Sequence, residues 1–318
     1  MSFYQKRGYM EIRYVENRDL KQIVLIEKTC FPIKEAATER QFQQRMQVFQ
    51  KSFLVATIEG QIVGFINGAC IDTQTLNDQH YEDTTLHHND YPYQSVFGLD
   101  VLPQYQHRGI AQKLMNAFIE LAYCRGKKGM VLTCKKELIS FYQQFGYTCL
   151  GKSNSQHGGA IWYDMYLELE RKDISLLKMY DFHLSECASL FQKCFQQEPW
   201  CESWTYDQSY QRLKEMLHSP YVFGFVLYQD NHLSGLVLGR QMTYLSRKEL
   251  WIDELCIAPQ YQGQSLGTEL LNMVKKECQK NHIERIVLNT VRGFLSQHFY
   301  KKNAFQEVDN IVCMACEI

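Results

Sequence analysis

The chain has 318 residues, a mass of 37.5 kDa and a formal net charge of -1, with 45% apolar and 22% charged residues. At about 150 residues per domain this length predicts two domains, and the composition is that of a folded rather than a disordered protein. Balanced charge gives no reason to expect a nucleic-acid or anionic-membrane partner. No apolar run reaches the roughly 18 residues of a membrane span, and Lys6 and Arg7 stand where a secretory leader needs its apolar stretch. Twelve cysteines are too dilute for a disulfide scaffold. The expectation is a cytoplasmic protein with reduced thiols.

In chain order, residues 11–14 predict a strand and residues 20–30 an amphipathic helix that stops before Pro32. Strands over 53–58 and 62–71 follow, joined by the turn Glu59-Gly60. A third apolar run, 96–102, leads into Pro103-Gln104-Tyr105-Gln106. Helical periodicity follows at Leu114, Phe118, Leu121 and Ala122, then a strand at 130–134, the pair Phe141-Tyr142 and a strand at 160–167.

The second half repeats the first. Pro259-Gln260-Tyr261-Gln262 copies the first tetrapeptide 156 residues later, between a strand at 250–257 and a helix marked by Leu270, Leu271, Val274 and Cys278. A strand at 286–289 precedes Phe299-Tyr300, now at an offset of 158. Strands are also expected over 221–228, over 233–239 and around Cys313-Met314-Ala315-Cys316, whose thiols would alternate into a sheet. Such an offset means tandem duplication of one domain. The charged segment Glu168-Leu169-Glu170-Arg171-Lys172-Asp173 then divides the chain into residues 1–170 and 171–318. Each half reads β-α-(α)-β-β-β-α-β-α-β, an α/β fold with a mixed sheet and helices on both faces.

Between the third strand and its helix the chain reads Gln106-His107-Arg108-Gly109-Ile110-Ala111. A strand that runs through small residues into a helix start leaves several backbone N–H groups aimed at one spot, where the helix dipole favours an anion. Gly109 and Ala111 let a phosphate approach the backbone, and Arg108 adds a cation. A plain tight turn is the alternative. Placed between that strand and helix, and followed by strand and Phe-Tyr, the segment from Val96 to Tyr147 resembles the acetyl-CoA-binding core of the GCN5-related N-acetyltransferases (GNAT).

The resemblance implies that the strand before the turn splays from its neighbour at a β-bulge, with pantetheine in the gap. It implies acetyl-CoA as cosubstrate, held at Gln106, His107, Arg108, Gly109, Ile110 and Ala111, with the N–H of Leu99 or Val101 on the thioester carbonyl. The first half is most similar to arylalkylamine- and polyamine-type members, including the ending that runs from Ser153 through His157 and Trp162 to Met165. In the second half, Trp251-Ile252-Asp253-Glu254-Leu255-Cys256-Ile257, Pro199-Trp200 and Trp204-Thr205 are similar to the aminoglycoside type. Its turn, with Ile257, Gln262, Gln264, Ser265 and Gly267 as the matching cofactor positions, departs from the pattern by placing Ser265 where the central Gly belongs. Ala304 replaces the Gly found at Gly146.

Acetyl transfer to an amine needs deprotonation of an ammonium whose pKa is about 10, a donor for the oxyanion and an acid for the thiolate. In this context Tyr142 is the expected acid and Tyr300 its counterpart, each having a core tyrosine as its other reading. The strand before the turn offers only Ser95 and Phe97 toward the acceptor, so the expected base is a water chain ending at Glu35 or His157. Asp253 takes the Phe97 position in the second half and could bind or deprotonate an amine there. Residues 51–100 carry Lys51 against seven acids, and residues 101–150 seven basic residues against Glu120 and Glu137; the first block suits a cationic acceptor and the second an anionic cofactor. The histidines of 76–93 lack metal-ligand spacing, so no metal is expected there and the segment reads as an acceptor-site loop. The expected reaction is transfer to a small primary amine or polyamine by direct attack in a ternary complex. Transfer to a protein N-terminus or lysine, or a second half that binds acyl-CoA without turnover, are the alternatives.

Overall fold

The computed structural model describes residues 10–170 and 172–317; Lys6, Arg7 and Arg171 lie outside them. The chain divides into two compact units. One runs to Leu184 and takes in Tyr228–Leu233, and the other is built from Ser185–Leu227 and the residues from Ser234 onward.

The first unit runs β1 Met10–Tyr14, α1 Leu20–Cys30, α2 Glu39–Val48, β2 Phe53–Ile58, β3 Gln61–Asn67, β4 Cys70–Ile71 and α3 Asp78–Glu82. It continues with β5 Tyr93–Val96, β6 Gly98–Val101, α4 Ile110–Cys124, β7 Gly129–Cys134, α5 Ile139–Gln143, β8 Thr148–Lys152 and β9 Tyr163–Glu168. Period-two alternation sorts the faces of its first sheet. Phe53, Val55 and Phe65 meet Ile23, Ile26 and Phe42 of α1 and α2, while Leu54, Ala56 and Ile66 meet Leu114 and Phe118 of α4. Each such side chain buried contributes about 1.5–3 kcal/mol, so helices are held on both faces.

The expected single strand over 96–102 is broken. Its start, β5, pairs in parallel with β7 in a sheet ordered β4-β5-β7-β9-β8; its end, β6, pairs antiparallel with β3 in a sheet ordered β1-β2-β3-β6. The expected strand over 62–71 breaks opposite it, into β3 and β4, because the two segments touch where they change sheet. A Cβ on Gly68 would lie 1.9 Å from the Ser95 carbonyl oxygen. Phe97 sits at the parting, so β6 and the end of β7 diverge. This is the splay the resemblance implied.

β10 Ile174–Lys178 closes the first unit, and the elements after it are α6 Leu184–Phe195, α7 Tyr206–Leu217, β11 Val222–Gln229, β12 His232–Tyr244, β13 Arg247–Ile257, α8 Leu266–Lys280, β14 Arg285–Leu288 and α9 Leu295–Lys302. Strands β11 to β14 neighbour one another in chain order. Here β13 stays whole but leaves β14 after Ile252, next to a register shift at Leu238/Gly239 of β12. The strand expected around Cys313-Met314-Ala315-Cys316 does not form: residues 303–317 contain no helix or strand, and both thiols are exposed. Apolar alternation alone made that expectation, and no neighbouring strand pairs with the segment. Among the described residues no helix is long and apolar enough to cross a membrane.

Candidate active site

The parting of β6 from β7 opens a cavity of about 160 Å³, lined among others by Phe97, Leu99, Leu132, Thr133, Cys134 and Tyr142. The amide of Leu102 donates to Val63 at 2.9 Å, and β6 pairs with β3 as Asp100↔Phe65 and Leu99↔Ile66. In an antiparallel pair alternate residues bond across the ladder, so the amides of Leu99 and Val101 turn to the other edge, which β7 has left. The Val101 carbonyl on that edge accepts from Gln106 Nε2 at 3.0 Å and Cys30 Sγ at 3.4 Å. These bonds tie strand, turn and α1 together.

Past the strand, His107 and Gly109 take φ of 58° and 76°, and Gly109 is the N-cap of α4 with no side-chain cap. The first-turn N–H groups of α4 therefore point outward without an intrahelical acceptor. A Cβ at Gly109 would meet nothing nearer than Gln112 Oε1 at 3.6 Å. Ile110 is buried, Ala111 faces the core from its edge, and Arg108 lies 5.2 Å over the Tyr105 ring.

Tyr142 is 8% exposed and ringed by Phe141 and Tyr147. Burial raises its pKa, so the phenol keeps its proton at neutral pH. Burial also pushes the Cys134 thiol up to about 12, which leaves it no thiolate character. Opposite them stand Glu35 and His157. Lys135 Nζ holds both Glu35 oxygens, at 2.9 and 2.8 Å, and His157 Nε2 lies 3.1 Å from the Glu35 carbonyl oxygen. His157 stacks on Tyr81 with ring centres 5.7 Å apart. Gly158, at φ 61°, makes room for this pair, since a Cβ there would come within 2.5 Å of Glu35 Cγ.

Three lining residues escaped the sequence reading. Glu27 and Arg45 are buried in α1 and α2, and Tyr81 reaches in from α3 to donate to or accept from Thr133 Oγ1 at 2.8 Å. Glu27 follows Ile23 by four residues and Arg45 follows Phe42 by three, so each is a charge on an apolar helical stripe. That signal was available. Arg45 donates to Asn67 Oδ1 and the Tyr81 carbonyl and lies 5.0 Å over the Phe97 ring; burial lowers its pKa to about 10, still charged at neutral pH. Ser95 is spent on the Ala69 carbonyl at 2.9 Å. In the 76–93 segment His80 Nδ1 accepts from Asn77 and His87 Nδ1 from Cys70, both backbone bonds.

The second unit repeats the frame. Ala258 donates to Ser234, and the Ile257 carbonyl accepts from Gln262 Nε2 at 2.9 Å and Cys194 Sγ at 3.3 Å. Gly263 and Ser265 take φ of 74° and 64°, and α8 starts at Ser265 without a side-chain cap. Gln264 Nε2 bonds the Gln260 carbonyl, and Gly267 packs under Phe299, whose ring a Cβ would meet at 3.1 Å. Asp253 lies 3.4 Å from Arg240 and is partly exposed. The neighbouring Glu254, missed in the sequence, is buried and accepts from Arg212 Nε at 2.8 Å. Tyr300 is half-buried; burial raises its pKa, with the Cys256 and Glu254 charges adding to it.

Residues 50–149 match the profile of the acetyltransferase (GNAT) domain, and residues 184–305 that of the acetyltransferase (GNAT) family. A Bacillus subtilis (strain 168) protein provisionally named ribosomal protein bS18-alanine N-acetyltransferase is 31% identical over 104 residues, which are 32% of this chain and 64% of that protein. Another from the same organism, provisionally named hydrolase YhcX, is 26% identical over 131 residues, 39% of this chain and 25% of that one. The chain thus spans under two thirds of the length of either. The crystal structure of Ard1 from Thermoplasma volcanium superposes with a TM-score of 0.40 at 20% identity, over 51% of this chain and 99% of the other. The chain carries two GNAT-family domains in tandem, one in each half.

Proposed function

We propose that the first unit transfers acetyl from acetyl-CoA to a primary amine by direct attack in a ternary complex. The observation that carries this is the cavity where β6 leaves β7, with the outward Leu99 amide on one wall, a protonated Tyr142 on another and the uncapped start of α4 beyond. Acetyl-CoA supplies the activated acyl group. The N–H groups of residues 107–111 and the Arg108 cation are placed to hold a pyrophosphate. The Leu99 amide faces the position where charge develops on an acyl oxygen. Tyr142 holds the proton that a departing thiolate takes.

The acceptor wall is aromatic and charged: Phe97, Tyr81, His157 and Trp162 beside Glu27 and Glu35. A 150 Å³ apolar cavity holds one benzene, so about 160 Å³ admits an amine head and a short stem, the remainder staying outside. A small amine or a polyamine end meets that description. The shared hydrogen bonds of the two turns support acyl-CoA binding by the second unit as well.

Calorimetric titration of the full chain with acetyl-CoA tests the reading. Two sites falling to one with Gly109→Trp, together with thiol release on adding amine, are the expected results. No binding to the wild-type chain refutes the proposal.

A further inference from the structure

Glu27 lies on the acceptor wall with no proton-transfer role assigned to it, and its neighbour Asp100 has no role at all. Glu27 lines the cavity, is 5% exposed, and accepts from the Ala37 amide at 2.7 Å. Asp100, 2% exposed on β6, lies within hydrogen-bonding reach of the Glu27 carboxyl group. Apart from the weak Cys30 thiol beside it, neither Asp100 oxygen finds a donor among the described residues. Two buried carboxylates in contact repel each other and both lack solvation. One proton shared between them removes the repulsion and gives Asp100 a donor to offer. The pair then carries one proton and one charge, the charge resting on the member with an amide donor, Glu27.

The surroundings keep that charge available. Arg45 faces it from α2, His157 from the loop before β9, and Cys30 flanks Asp100 from α1 as a thiol held protonated. Tyr81 and Tyr142 are phenols held neutral by burial. Glu35 is already matched by Lys135. Among the carboxyl groups lining the cavity, Glu27 is the one without a lysine partner. The second unit lacks the pair: Cys256 takes the place of Asp100, and three residues before Cys194 stands Phe191, as Glu27 stands three before Cys30.

We infer that Glu27 accepts the proton of an ammonium group entering the cavity, with Asp100 as the positioning residue that shares its proton; this rests on the acetyl-transfer reading. One N–H proton passes to Glu27 and frees the nitrogen lone pair. The N–C bond forms, the C–S bond breaks, and the thiolate takes the Tyr142 proton. The second nitrogen proton restores Tyr142, and Glu27 releases its proton to solvent.

The test uses the full chain with acetyl-CoA and two probe amines, phenethylamine and spermidine, following thiol release from about pH 5 to about pH 10. Glu27→Gln keeps the bond to Ala37 and is expected to lower kcat/KM at neutral pH by roughly 10²–10⁴-fold. That deficit should close as the free amine becomes abundant near its pKa of about 10. Asp100→Leu should move the acidic limb to higher pH, and Asp100→Asn, which can still donate, should return it. Acetyl-CoA binding equal to wild type shows that each variant is folded. A Glu27→Gln profile that superimposes on wild type overturns the assignment and leaves the transfer reading standing. A wild-type chain that releases thiol with neither amine overturns both.

Discussion

The two turns at the starts of α4 and α8 follow one backbone path with their glycines in different places. The first has His107 then Gly109 in the left-handed region, and the second Gly263 then Ser265. Each copy therefore holds one non-glycine residue where the conformation costs about 1–2 kcal/mol. What keeps the path is the frame around it: a glutamine amide and a cysteine thiol on the same strand carbonyl, Gln106 and Cys30 on Val101 in one unit, Gln262 and Cys194 on Ile257 in the other. Ala304, at φ 67°, repeats the lesson against Gly146 at 92°. A glycine signature thus records where strain was removed, and its displacement does not by itself remove the turn.

The chemistry around the common frame differs. In the first unit the acid candidate Tyr142 is almost sealed and the carboxyl groups lie on α1 and β6. In the second, Tyr300 is half-buried and two buried carboxylates lie on β13, Glu254 clamped by Arg212 and Glu249 beside Arg285. The largest expected effect separates the two tyrosines. Tyr142→Phe should lower kcat of amine acetylation by roughly 10²–10⁴-fold with acetyl-CoA affinity unchanged. Tyr300→Phe should leave that acceptor's kcat as it is. Equal losses from both variants, read by thiol release, would erase the distinction between the units.

Gly158→Ala comes next. Its Cβ would displace Glu35 and would hold a left-handed φ, so a loss of roughly 1–3 kcal/mol is expected, about 2–12 °C in Tm for a unit of this size. A raised KM for amine should accompany it, since Glu35 and His157 line the cavity. An unaltered KM would detach this pair from acceptor binding.

Ser265→Gly should stabilise the second unit by a few tenths to about 1 kcal/mol, the relieved strain less the added chain entropy. Denaturant midpoints with an unchanged m-value check it. A lower midpoint would mean that the Ser265 side chain contributes something the turn geometry does not reveal.

A pH dependence sets the two α-helices apart as well. Glu120 of α4 is raised to about 8 by burial, against lowering contributions from the Lys178 backbone and charge; its counterpart in α8 is the exposed Lys276. A carboxyl group whose folded pKa lies above its unfolded value favours the folded state at low pH, and that contribution is lost as pH rises toward 8. Glu120→Gln, which never ionises, should therefore gain in Tm relative to wild type between pH 5 and pH 8. A flat difference across that window would place Glu120 in contact with solvent.

Much of this was legible in the residues. The helix over 20–30, stopped before Pro32, the strand over 53–58 and the turn at Glu59-Gly60 lie where local pattern put them, because periodicity, proline geometry and a two-residue turn act over a few neighbours. The repeat and the anion-ready turn are equally local. Glu27, Arg45 and Glu254 were readable as charges on buried faces, but what each would face was not.

Pairing across long separations decided the rest. The run over 96–102 is apolar apart from Gly98 and Asp100, and nothing in it says that its two ends join different sheets; that follows from β3 claiming one end and β7 the other. The same long-range folding brought Glu27 against Asp100 and Glu35 against Lys135, the latter pair 100 positions apart. The segment around Cys313 shows the converse, an apolar alternation with no partner and hence no strand. Amino-acid order by itself determined most of the elements, the duplication and the residue types available to the candidate site. Only tertiary structure decided which of them share a cavity, because burial and charge proximity are properties of distance in space.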